Sequence, residues 1–397
     1  MLPKLKLVVC LSAVLSALSA LAQDTAATAL NSNAPVAYVY VASRPANASA
    51  DEIDAYAASR NGKLTPLTGS PFQENESDFT VSGNFLYGVS GNTTNIDSFA
   101  IGAEGALSYK TSINYAQFDS DDCGSAGWLF PDRTGRNIYT MVFDADCANN
   151  GYQSYAARPA SGELNYLGYA NGGAGSFDGV HLPATFTGND KYAYSATNNG
   201  CMYFGVQIFQ RGGNGLLTPD TSSSVTLPAP PSGYRIYIPS LVSVDPIDHV
   251  AMVLQAANPP GCGNNNPQLA SFTADSKGNL TTTNTSANMP TTLIPNVNDL
   301  KMSPSGKLLA VAGTNGVQVF HFNGANPPTA YTPLLTTDSI TQMFWDNDNH
   351  LYAVNQLGGT LHVFNVTATS YSEAPGSPYA VSQPGAIAVQ SRTPVIF

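Results

Sequence analysis

Ile53-Asp54-Ala55-Tyr56 is an apolar, polar, small, aromatic tetrapeptide. It returns along the chain as Ile96-Asp97-Ser98-Phe99, Tyr152-Gln153-Ser154-Tyr155, Val206-Gln207-Ile208-Phe209, Leu269-Ala270-Ser271-Phe272, Val317-Gln318-Val319-Phe320 and Leu361-His362-Val363-Phe364. Its seven aromatic positions lie 43, 56, 54, 63, 48 and 44 residues apart. Alternation within each copy reads as a half-buried strand, and recurrence at this spacing is the mark of a repeat architecture.

A second strand precedes each copy, as in Tyr38-Val39-Tyr40-Val41, Phe85-Leu86-Tyr87 and Leu308-Leu309-Ala310-Val311. A Gly-containing turn and a further strand usually follow, as in Asn61-Gly62-Lys63-Leu64-Thr65-Pro66 and Lys277-Gly278-Asn279-Leu280; glycine suits a reversal that needs positive φ. Turns such as Ser303-Pro304-Ser305-Gly306 and Asp346-Asn347-Asp348-Asn349 join an innermost strand to the second one. Four strands taken seven times account for nearly all the chain after residue 35. An isolated unit of this kind cannot cover both its faces, so the units must stack around an axis.

The expected fold is therefore all-β, a seven-bladed β-propeller of four-stranded antiparallel blades. The first unit lacks an innermost strand before Tyr38, while the chain ends with an orphan strand, Ala386-Ile387-Ala388-Val389. That strand is expected to complete blade one and close the ring. A β-sandwich array is the rival architecture, but it has no use for an orphan terminal strand.

Lys4 and Lys6 precede an apolar run from Leu7 to Leu21, and Ala20-Leu21-Ala22 stands before Gln23. This reads as a secretory signal peptide over 1–22, followed by an N-terminal linker over 23–35 and the propeller over 36–397. The location expected is extracytoplasmic, either periplasmic or secreted. No second apolar run follows, so no membrane span is expected. Cys10 lies inside the apolar run after Val8-Val9, which does not suit lipid attachment.

Removal of the leader leaves 14 Lys and Arg against 27 Asp and Glu, a net charge of −13. Such a surface repels phosphate backbones, which argues against nucleic-acid partners. A monomer is expected. Four cysteines remain, and oxidising conditions favour two disulfides. In a four-stranded blade, the connection into the inner strand and the connection between strands two and three emerge on one face. Cys123, Cys147, Cys201 and Cys262 all fall in such connections of blades three to five, so Cys123 is expected to pair with Cys147 and Cys201 with Cys262.

The turn Met302-Ser303-Pro304-Ser305-Gly306-Lys307-Leu308, the Ile53-Asp54-Ala55-Tyr56 strand and Gly62-Lys63-Leu64-Thr65-Pro66-Leu67 with Gly69-Ser70-Pro71-Phe72 resemble the lactonase-like seven-bladed propellers, similar to propeller-type 6-phosphogluconolactonase. Gly376-Ser377-Pro378-Tyr379 repeats the same ending in the last blade. The likeness spans most of residues 36–391 and implies the propeller fold and a lactonase-type activity. Lactone-hydrolysing members carry an Arg-His pair at the start of an inner strand. The corresponding stretches here, Asn298-Asp299-Leu300-Lys301-Met302-Ser303 and Leu182-Pro183-Ala184-Thr185-Phe186, have none. No catalytic residue carries over, and an exported protein would not meet a phosphorylated sugar lactone.

The rim of blades three to five should bear the longest loops, 144–152, 197–203 and 256–267, together with the Pro-rich stretch 218–239; long loops on a rigid scaffold are where binding resides. Asp119, Asp121 and Asp122 stand beside Cys123, and Asp144 and Asp146 beside Cys147. They read as solvated loop acids, with Ca²⁺ as the cofactor such oxygen ligands would suit. His181 is the one histidine to consider as a general base, against a structural role. The functional expectation is a noncatalytic scaffold whose rim holds a protein, a glycan or a small ligand. The alternative is hydrolysis of an unphosphorylated lactone in the central funnel, with a metal or His181 activating water.

Overall fold

A computed structural model of the chain describes residues 34–118, 126–143, 150–172, 182–199, 203–259 and 266–395. Its strands form seven antiparallel sheets. Blade one runs outward from the axis as Ile387–Ser391, Ala37–Ser43, Glu52–Ala58 and Leu64–Pro66, and blade two as Asp78–Ser82, Phe85–Val89, Asn95–Ile101 and Leu107–Asn114. The inner strands of blades three to seven are Ala126–Pro131, Thr185–Phe186, Ile236–Val244, Val297–Met302 and Gln342–Trp345. Blade seven has an extra pairing, Tyr379–Ala380 against its third strand.

The ring is closed as the strand count implied. Ile387–Ser391 pairs antiparallel with Ala37–Val41, with Val389 opposite Val39. The backbone bond from Ala42 N–H to the Ala386 carbonyl, at 2.9 Å, extends that ladder.

Seven apolar clusters hold the blades together, one between each pair of neighbours. Each aromatic residue of the repeated tetrapeptide enters the cluster shared with the preceding blade. Tyr56 packs with blade seven, Phe99 with blade one, Tyr155 with blade two, and so on to Phe364 with blade six. All seven are buried. The period in the sequence is therefore the period of inter-blade packing, and each aromatic contributes roughly the 3–5 kcal/mol that deletion of a buried Phe costs.

Polar ties repeat too. Tyr40, Tyr139 and Tyr194 of second strands each donate their hydroxyl to the turn-glycine carbonyl of the next blade, at Gly105 (2.7 Å), Gly215 (2.7 Å) and Gly278 (3.1 Å). At Gly215 no other residue fits: φ is +99°, and a Cβ would stand 1.9 Å from the Asn137 amide. The two Gly-Ser-Pro-aromatic motifs serve one purpose. Ser70 Oγ accepts from Ala55 N–H and Ser377 Oγ from Val363 N–H, both at 2.9 Å, on the free edge of a third strand.

The Pro-rich stretch does not lie wholly on the expected rim. Ser223 and Ser224 bond to Lys277 and Asn279 in the turn on the opposite face, and Val225 pairs with Leu280. From there the chain covers the outer strand of blade five before entering that blade's inner strand at Ile236. The physical reason is the bare outer edge of that sheet, whose backbone groups this segment satisfies.

Candidate functional site

The inner strands of a propeller bring chemistry together at the axis, and three of them are bulged here. The register slips between Gly127 and Leu129, between Pro239 and Leu241, and between Val297 and Asp299. A bulge re-aims a side chain. Trp128, the extra residue of the first, has φ +55°, a left-handed conformation that costs a bulky residue about 1–3 kcal/mol.

Trp128 stands in the wall of two adjoining cavities. One, of about 280 Å³, is lined by Ser77, Asp78, Gly127, Trp128, Thr341 and Gln342 among others. The second, of about 70 Å³, shares Trp128, Thr341 and Gln342 and adds Asp299 and Lys301. Between them the two cavities are lined by residues from all seven blades, because closure of the ring places their inner strands around the axis.

Asp78 is the first residue of its inner strand and accepts a hydrogen bond from Leu129 N–H at 2.9 Å. Burial pushes its carboxyl up to about 6, against the opposing pull of the Leu129, Phe79 and Trp128 N–H groups and the charge of Lys301. Asp299 accepts from Met343 N–H at 2.7 Å and lies 3.4 Å from Lys301 Nζ. Other inner-strand side chains bond the next blade's backbone in the same way. Ser243 Oγ accepts from Met302 N–H at 2.9 Å, and Gln342 Oε1 from Ile387 N–H at 2.8 Å. Of the carboxylate clasps Asp78 lines the larger cavity.

A hollow of about 420 Å³ along the third strand of blade four is lined largely by apolar groups, including Phe204, Val206, Ile208, Val225 and Leu227. Its carboxylate, Asp220, is pushed up by desolvation, but hydrogen bonds from Ser222, Gln210 and Ser223 outweigh this and leave it well below the usual range. It is a poor base, so the chemistry points to the axis.

His181, Asp119, Asp121, Asp122, Asp144, Asp146 and the four cysteines, Cys123, Cys147, Cys201 and Cys262, lie outside the described residues. Among the described residues, no group of three or more His, Cys, Asp or Glu is placed to hold a metal. The remaining histidines serve the scaffold. His350 Nδ1 is 2.6 Å from Asp346 and its Nε2 3.2 Å from the Arg60 carbonyl, joining blade seven to blade one. Burial alone would lower its pKa, but Asp346 outweighs burial and raises it. Asp346 Oδ1 also accepts from Asp348 and His350 N–H groups, so this acidic run is a turn. His362 lies between Glu373 (3.1 Å) and Asp338 (2.9 Å), and His321 against Tyr331.

Asp78, Trp128 and Lys301 escaped the sequence reading. Lys301 stands in the stretch 298–303 that corresponds to the Arg-His position of lactone-hydrolysing propellers, and its cationic side chain is the signal the sequence offers.

No protein-family model and no curated protein matches the sequence. Solved structures do. A candidate 6-phosphogluconolactonase from Bacteroides uniformis superposes with a TM-score of 0.62 at 15% identity, covering 89% of this chain and 100% of the other. The periplasmic gluconolactonase of Pseudomonas aeruginosa gives 0.61 at 13% identity, covering 89% and 98%. Hydrazine synthase from Kuenenia stuttgartiensis gives 0.53 at 12% identity, covering 87% and 99%. At these identities the likeness is one of fold, and the resemblance to lactonase-like seven-bladed propellers holds at that level.

Proposed function

We propose that the protein hydrolyses the ester of a small unphosphorylated lactone in the axial chamber. The observation that carries this reading is Asp78, a carboxylate in a cavity wall with its basicity raised to about 6 and a lysine near enough to act on it. A base near the working pH combines the right protonation state with driving force for proton transfer. The fold likeness to gluconolactonase-type propellers supports hydrolysis over a noncatalytic scaffold, although fold alone does not assign chemistry.

In this mechanism Asp78 takes a proton from water as its oxygen attacks the lactone carbonyl. Negative charge develops on the carbonyl oxygen, where Lys301 provides the positive partner and Asp299 holds that lysine in place. Collapse of the tetrahedral intermediate breaks the acyl carbon to ring oxygen bond. Asp78 returns its proton to the leaving alkoxide, and the product is the open hydroxy acid. Trp128 offers a flat apolar face to the ring. The export reading from the sequence fits this proposal; among the described residues no helix is long and apolar enough to cross a membrane.

The experiment is hydrolysis of glucono-1,5-lactone and related lactones above the spontaneous rate, with Lys301→Met beside the parent. Loss of a charge that stabilises the oxyanion should cost roughly 10²-fold or more in kcat. Equal rates for parent and variant would remove Lys301 from the mechanism.

A further inference from the structure

Two residues before Asp78, Glu76 is buried to 3% exposure, yet its Oε2 has no hydrogen-bond partner. Its side chain lies over Gly88 so closely that a Cβ there would stand 2.6 Å from Glu76 Cγ and 2.7 Å from Oε2. Gly88 sits opposite Asp97 in the adjoining strand of blade two. The other charged groups acting on Glu76 are all acidic: Asp97, Glu74 on its own loop, and Asp51 from blade one. Arg44 near this cluster is already bound by Asp51 through two bonds of 2.7 and 3.0 Å.

A buried carboxylate with one oxygen unpartnered and acids as the charges acting on it is not a stable arrangement when ionised, because the charged form loses solvation and gains repulsion. We propose that Glu76 and Asp97 hold one proton between them, and that its loss unseats the segment Glu74–Asp78 that walls the axial chamber. Burial, then the charge of Asp97, pushes the Glu76 carboxyl up to about 9, and burial also raises Asp97. At the segment's far end Asp78 is fixed by the Leu129 N–H and by its ladder position opposite Val89, and Asn75 Nδ2 donates to Ser90 Oγ at 3.0 Å, so strain from Glu76 passes along a tethered segment. Asp51 N–H donates to Asn75 Oδ1 at 2.7 Å, and Ser77 N–H donates to the Val89 carbonyl at 2.9 Å. Ser77 and Asp78 both line the larger cavity, so a carboxylate driven out from over Gly88 carries its strain straight into that wall. The pair is thus an alkaline switch on the chamber. It rests on the hydrolase reading only for its effect on turnover, since the structural change is independent of any substrate.

The test is tryptophan emission and thermal midpoint of the whole mature chain from pH 6 to 10, without substrate, for the parent, Glu76→Gln and Asp97→Asn, each with millimolar calcium and with chelator. Trp128 lines the same cavity as Asp78 and reports the wall, and Trp345→Phe in all three proteins leaves it the single emitter. The expected result is a reversible alkaline transition in the parent that Glu76→Gln abolishes and Asp97→Asn moves to lower pH, because one repelling charge is gone. The same transition in all three proteins would overturn the proposal. So would a transition that calcium shifts in the parent but not in Glu76→Gln, which would mean that the carboxyls hold a cation instead of a proton. If Glu76→Gln fails to fold, the direction of the shift in Asp97→Asn still decides. Failure of the hydrolase reading would appear as absent turnover at every pH and leave these spectra unchanged.

Discussion

The Asp78 carboxylate and the Leu129 backbone N–H are 2.9 Å apart, fifty-one positions distant in sequence, and they join the inner strands of blades two and three at the axis. The same bond fixes the bulge that turns Trp128 into the chamber. One side chain therefore shapes the ring and presents a base to the cavity, so an isosteric change can separate the two roles.

Trp128 gives a prediction with an inverted sign. At φ +55° glycine is the comfortable residue, so Trp128→Gly should be more stable than Trp128→Ala by about 1 kcal/mol, the reverse of the usual order. Both should raise KM for a lactone several-fold. Denaturant unfolding of the pair checks the first point and steady-state kinetics the second.

Removal of residues 384–397 takes away the strand that pairs with Ala37–Val41 and exposes Val39 and Val41 of the core. The shortened chain should lose cooperative unfolding or drop by more than about 4 kcal/mol, since a whole strand and its packing go together. A thermal unfolding curve with an unchanged midpoint would contradict the closure.

Two carboxyls set a pH dependence of stability. Asp78 is raised to about 6 in the fold, and Glu76 to about 9. A raised carboxyl is protonated in the fold where the unfolded chain has already lost its proton. Its contribution is therefore full below about pH 4 and is lost as pH rises through the folded value. For Asp78, which is partly open to the chamber, this amounts to on the order of 1 kcal/mol. Asp78→Asn should flatten the stability profile between about pH 4 and 6, and Glu76→Gln between about pH 4 and 9. Chemical denaturation across that range measures both.

The export and disulfide expectations meet in one peptide map. The mature protein, recovered from the periplasm or medium, should begin near Gln23 and yield Cys123 linked to Cys147 and Cys201 linked to Cys262 under non-reducing digestion. Each link should add about 2–4 kcal/mol. A Cys147 to Cys201 link would contradict the rim arrangement.

Much of this architecture is legible along the chain, because the aromatic positions from Tyr56 to Phe364 report a packing role repeated in every blade. The tail strand is legible by counting, since blade one was short by one strand. The chamber was not. Asp78, Trp128 and Lys301 are brought together only by closure of the ring, and a bulge such as that at Trp128 leaves no periodic trace. Glu76 reads in sequence as one more acid in a polar loop, and only the glycine beneath it shows that it is inside. The Pro-rich stretch looked like a rim loop because sequence does not show which sheet edge stands bare.

The most direct measurement is the rate of lactone hydrolysis against pH for the parent and Asp78→Asn, whose amide oxygen can still accept the Leu129 N–H. The account predicts a parent rate that falls below about pH 6 as Asp78 is protonated, and a variant that folds normally but turns over at least about 10²-fold more slowly at neutral pH. A folded Asp78→Asn protein as fast as the parent, or a parent no faster than water, would contradict it.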